Sequence, residues 1–167
     1  MNLESERLIL SEFSKNDAPF FYELVNDPAW IQYIGDRNVK TILDAEKYLE
    51  EKIIPSYQEF GFGFYIVRLK KEKTPIGMCG LVKRDWMKYV DIGYAFLPDF
   101  RGKGYALEAG KTTMKYAKET LQILKLAAIT DVNNTKSSNL LEQLGFYFDR
   151  LITYPDQNEK CKLYLEK

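Results

Sequence analysis

The run from Asp91 to Ala109, DIGYAFLPDFRGKGYALEA, constrains this chain more than any other. A strand of β-branched and aromatic residues enters a loop holding Arg101, Gly102, Lys103 and Gly104, and a helical period starts at once. A helix that begins on such a turn has amide N–H groups without intrahelical acceptors, at the positive end of its dipole. Glycines let that backbone come close to an anion, and Pro98 removes a donor and stiffens the approach. The turn is shaped to seat a phosphate or pyrophosphate.

Two nucleotide motifs do not match the spacing. A dinucleotide fingerprint needs G-x-G-x-x-G, and Gly102 and Gly104 are followed by Leu107. A Walker A loop needs four residues before its Gly-Lys-Thr. Gly104 to Gly110-Lys111-Thr112 has five, and they carry a helical period.

The rest of the chain supplies the frame. Residues 7–13 alternate as a strand. Ser14 with Asp17 and Thr41 with Asp44 are capping boxes that open helices; Pro28 separates a short second helix over 29–34, and Pro55 is expected to kink or end the longer one. Residues 62–70, 75–83 and 89–97 read as an antiparallel meander. Residues 104–120 read as a helix buried along Leu107, Gly110, Met114, Ala117 and Leu121. A strand over 125–132, a helix over 134–144 closed by Gly145, and strands over 146–154 and 161–166 complete the order. The expectation is one α/β domain spanning 1–167 with a mixed, mostly antiparallel sheet.

Composition removes several kinds of chemistry. There is no histidine, so no Ser-His-Asp triad, Cys-His dyad or His-ligated metal can form. Cys79 and Cys161, the only cysteines, match no metal spacing, and Cys79 lies in an apolar run as an inert thiol would. Lys plus Arg and Asp plus Glu both number 24, which gives no general attraction to nucleic acid or to anionic membrane. With two cysteines, no secretory signal and no membrane-spanning run, the expected location is cytoplasmic, as a monomer or homodimer.

The motifs resemble those of one family. Arg101-x-x-Gly104-x-Ala106, between strand and helix, resembles the acetyl-CoA signature of the GNAT (Gcn5-related) N-acetyltransferases. Ile76-Gly77 through Gly80-Leu81, Asn134 through Ser137 to Leu144-Gly145-Phe146, and Ser5-Glu6-Arg7-Leu8-Ile9-Leu10 resemble further blocks, the last that of the Rim-type subfamily. Departures are Ser5 for threonine, Ser11 for arginine, Ala95 for tryptophan, and Leu141 where other branches carry an acid tyrosine.

The resemblance implies a single-domain GNAT fold with a splayed central strand pair flanked by helices. It implies transfer of acetyl from acetyl-CoA, without a metal, directly to a small-molecule amine or a protein N-terminus. Phe96 and Leu97 would pair with the pantetheine arm. Gly102, Gly104, Tyr105 and Ala106 would hold the pyrophosphate through their amides, with charge from Arg101 and Lys103. Asn134 and Ser137 would line the opposite wall. Asp91 is the candidate base, Ser137 the candidate acid and Tyr147 its reserve. Trp30 and Tyr33 are candidates for the acceptor pocket, set on one helical face by their spacing. A non-catalytic acetyl-CoA sensor on this fold, or a P-loop-like nucleotide-binding protein, are the alternatives.

Overall fold

The computed structural model describes residues 2–167. Eight strands form one sheet: β1 Asn2–Glu4, β2 Leu8–Glu12, β3 Phe64–Leu69, β4 Pro75–Val82, β5 Val90–Phe96, β6 Leu126–Asp131, β7 Phe146–Tyr154 and β8 Glu159–Glu166. Their order is β1-β2-β3-β4-β5-β6-β8-β7. Every neighbouring pair is antiparallel except β5 and β6, which run parallel. That one parallel step follows from the crossover through a helix, because a hairpin cannot join parallel strands.

Six α-helices cover the sheet: α1 Ala18–Val25, α2 Pro28–Tyr33, α3 Ile42–Tyr48, α4 Pro55–Phe60, α5 Tyr105–Glu119 and α6 Thr135–Gln143. The predicted caps form. Thr41 accepts from the Asp44 amide at 3.0 Å while the Asp44 carboxylate accepts from the Thr41 amide at 3.0 Å. Asn134 caps α6 by accepting from the Ser137 amide at 3.1 Å. Gly145 takes φ +92° and donates to the Glu142 carbonyl at 3.0 Å, which ends that helix.

Three details differ from expectation. β1 carries no periodic signal in its three residues, yet it pairs with β2 as the sheet edge. Pro55 does not stop the helical path. A π-helical segment, Leu49–Ile53, opens the ring ahead of it, with Ile54 donating to the Leu49 carbonyl, and Pro55 enters the first turn of α4, where no N–H is missed. Helix α5 buries Ala109, Gly110, Thr113, Tyr116 and Ala117 most deeply, while Leu107, Met114 and Leu121 are half-buried. Thr113 is tolerated inside because its hydroxyl meets Cys79 Sγ at 3.4 Å.

Gly110 settles the Walker-type alternative. It lies inside α5, and a Cβ there would come within 2.9 Å of the Leu144 side chain. The stretch is a packed helix rather than a phosphate loop. Among the described residues, no helix is long and apolar enough to cross a membrane, and no group of three His, Cys, Asp or Glu gathers as metal ligands would.

Candidate active site

β5 and β6 pair only at Val90–Leu126 and Asp91–Ala127, and then diverge. A cleft of about 1680 Å³ opens along the gap and runs from the Gly102–Gly104 turn to Arg84 and Asp91. The register decides which backbone groups face it. Leu97 donates its N–H to the Ile76 carbonyl at 2.9 Å, across to β4. Antiparallel strands alternate, so Gly93 and Ala95 also turn their polar groups to β4, and Tyr94 and Phe96 turn theirs into the gap. The expectation for Leu97 is therefore corrected. Its amide is engaged, its side chain is buried, and it does not line the cleft. Phe96 does line it.

At the other end, α5 begins on Gly104, whose φ is +83°, with no side chain capping its first amides. Gly102, at φ +72°, has open space where a Cβ would stand. Both glycines, with Tyr105 and Ala106, line the cleft. The turn is braced from behind by Arg7, which donates to the Lys103 carbonyl at 3.0 Å, pairs with Glu108 at 2.6 Å and lies over the Tyr105 ring at 4.5 Å. A Cβ on Gly104 would come within 3.2 Å of Arg7 Nη2.

Arg101 and Lys103 contribute differently from expectation. Arg101 donates Nε to the Phe96 carbonyl at 2.9 Å and Nη2 to the buried Asp27 carboxylate. Asp27 also caps α2 by accepting from the Trp30 amide at 3.3 Å. The arginine thus fastens α2 to the turn, and much of its charge is balanced there. The Lys103 side chain is outside the cleft, with Nζ 5.9 Å from the Phe100 ring centroid.

On the opposite wall, Ser137 Oγ lies 3.0 Å from the Tyr94 hydroxyl, which also donates to the Ser137 carbonyl at 3.2 Å. Tyr94, absent from the sequence-predicted set, is raised far above an ordinary phenol by burial, partly offset by Ser137. The signal was a polar ring on the signature strand. Asn134 lines the same wall, with its side-chain oxygen occupied as the α6 cap. Tyr147 is not brought to the site. It is an exposed residue of β7, the outer edge of the sheet, and it does not line the cleft.

Asp91 is buried at the root of the gap. Burial raises its carboxyl to about 6, against the opposing pull of Arg84. Arg84 Nε donates to Oδ2 at 2.8 Å, while Oδ1 is buried without a hydrogen-bond partner. Arg84, also unpredicted, sits in the β4–β5 connection beside Lys83. Trp30 and Tyr33 both line the cleft from α2. Trp30 is buried in the core as well, and its indole N–H has no partner. Gln157 and Lys160 of the last hairpin line the cleft as well. Both thiols are held protonated, Cys79 by burial that pushes it up to about 12 and Cys161 raised for the same reason.

The comparisons agree with this geometry. The chain resembles the uncharacterized N-acetyltransferase YnaD of Bacillus subtilis, 26% identical over 145 residues, covering 87% of this chain and 82% of that one. It resembles the spermidine N(1)-acetyltransferase of Escherichia coli at 25% identity, covering 82% and 71% of the two chains. Its fold matches a GNAT acetyltransferase from Bacillus anthracis at TM-score 0.82 and 24% identity, covering 99% of this chain and 97% of that one. It also matches RimL, a ribosomal L7/L12 alpha-N-protein acetyltransferase solved with coenzyme A, at TM-score 0.85 and 17% identity, covering 99% and 97%. The family model of the GNAT acetyltransferase domain matches residues 7–147, and the chain accordingly belongs to the GNAT family of acyl-CoA-dependent acetyltransferases.

Proposed function

We propose that this enzyme transfers the acetyl group of acetyl-CoA directly to a primary amine, of a small molecule or a protein N-terminus, with both substrates bound together. The observation that carries the reading is one continuous cleft. It leads from the uncapped start of α5, along the gap-facing backbone of Tyr94 and Phe96, to Asp91.

The chain's groups fit acetyl-CoA. Amides of Gly102 to Ala106 would hold the pyrophosphate, where helix-start N–H groups and dipole favour an anion. The Tyr94 and Phe96 backbone would pair with the pantetheine arm, and an N–H from the same pair would polarise the thioester carbonyl. Acetyl-CoA supplies the activated acyl group; the residues supply position and protons.

The amine has to react neutral, and a free alkylamine is mostly protonated at pH 7. Asp91, at about 6, is mostly ionised there, so it can receive that proton. Each strand residue advances about 3.3 Å, which sets Tyr94 about 10 Å along β5 from Asp91. The acceptor would enter between them, under α2 and the last hairpin. Ser137 Oγ, oriented by Tyr94, would protonate the departing sulfur. With both thiols protonated, an acyl-cysteine route has no nucleophile.

The test is an amine panel with acetyl-CoA and thiol release as readout. Release that depends on an amine is expected. Coenzyme A binding with no release for any amine would replace this reading with a sensor.

A further inference from the structure

Arg84 is held as a ligand-binding arginine is held. Its Nε serves Asp91, and Nη1 donates to the Tyr154 hydroxyl at 2.8 Å. The Trp86 and Tyr154 rings lie 5.7 and 5.6 Å from the guanidinium carbon. Those contacts fix the plane of the fork before anything binds. Nη2 donates to no group among the described residues and is not among the atoms sealed from solvent. The residue lines the acceptor end of the cleft, and its side chain keeps 22% of its surface exposed.

The surrounding charge points the same way. Arg37, Lys52, Lys83 and Lys160 line the cleft without an ion-pair partner. Three of the lining acids, Asp27, Asp36 and Asp91, are already paired with Arg101, Lys40 and Arg84. Asp131 and Glu159 also line it without an ion-pair partner, but the lining cations, Lys136 among them, outnumber the acids, so an acceptor carrying an anion would meet more partners there than a polycationic one.

We propose that the acceptor is an amine that also bears a carboxylate, as an amino acid does, and that Arg84 receives that carboxylate at the open edge of its fork. A planar guanidinium fits a carboxylate better than a lysine would. The proposal rests on the reading of this cleft as the site of acetyl transfer.

The experiment compares paired acceptors by thiol release: phenylalanine with phenethylamine, and lysine with cadaverine. A third pair, an amidated tripeptide with glutamate or glutamine in second place, tells a free amino acid from a protein N-terminus as the source of the carboxylate. In the wild type the carboxylated member is expected to lead by about tenfold or more in kcat/KM, the scale of one charge-assisted hydrogen bond. In Arg84→Met the preference should shrink toward one. That substitution also disturbs Asp91, but it does so for both members, and their ratio isolates the carboxylate contact. If Arg84→Met fails to fold, Arg84→Lys keeps the charge without the fork, and the preference should fall there too. Decarboxylated amines that react equally well, or a preference that survives both substitutions, would overturn the proposal while leaving acetyl transfer intact. No release with any member would overturn the transfer reading itself.

Discussion

Replacing Asp91 with asparagine keeps the side chain's shape and removes the charge at the root of the β5–β6 gap. With the carboxyl at about 6, the wild type is about 90% ionised at pH 7 and about 10% at pH 5. If Asp91 receives the amine's proton, the ratio of wild-type to Asp91→Asn kcat falls about tenfold between those values. The amine's own titration cancels in the ratio. Stability gives an independent check. The folded pKa is raised above the unfolded value of about 3.9, so the stabilisation is complete below that value and is lost as pH rises through about 6. Relative to Asp91→Asn, the wild type should thus gain about 1.4 kcal/mol between pH 8 and pH 5. The assay is kcat at saturating substrates from pH 5 to 8, with urea unfolding at the two ends. A ratio that stays flat while the stability difference appears would leave Asp91 buried and titrating but not the base.

Other outcomes follow from named contacts. Ser137→Ala should lower kcat about 10²-fold or more with little change in acetyl-CoA affinity, whereas Tyr94→Phe, which leaves Ser137 in place but unoriented, should cost less; equal losses would make the two a single unit. Gly104→Glu should weaken acetyl-CoA binding by calorimetry, since a side chain there strains a backbone with φ +83° and its Cβ would press on Arg7, which braces the turn; unchanged affinity would refute the placement. Gly80→Ala should destabilise by about 1–3 kcal/mol or more in urea unfolding, because its Cβ would overlap the Gly63 carbonyl across the sheet. Asp27→Asn should raise the KM for acetyl-CoA several-fold through loss of the α2–Arg101 tether, and an unchanged KM would make that tether purely structural.

The sequence was legible where structure is local. Capping boxes, the αL glycine after α6 and the antiparallel meander of β3 to β5 depend on neighbours close in sequence, and each formed where its pattern lay. β1 was not legible, because three residues carry no period and its strand exists only through pairing with β2. In the site, the glycine turn was legible and its supports were not. Arg101 finds Asp27 and Tyr94 finds Ser137 across long stretches of chain that no spacing rule connects. Leu97 was misplaced for a related reason. Which amides of β5 face the gap depends on the parity of its register with β4, and hydrophobic alternation does not carry that parity. Tyr147 follows Leu-Gly-Phe in sequence, but β8 lies between β6 and β7 in the sheet, and this moves it away from the cleft.

The most direct measurement is a crystal structure of the enzyme with coenzyme A. The pyrophosphate should lie within hydrogen-bonding distance of the amides from Gly102 to Ala106, with the pantetheine arm between β5 and β6 against Tyr94 and Phe96. Coenzyme A bound anywhere else, or a gap closed by continued β5–β6 pairing beyond Asp91, would contradict the account.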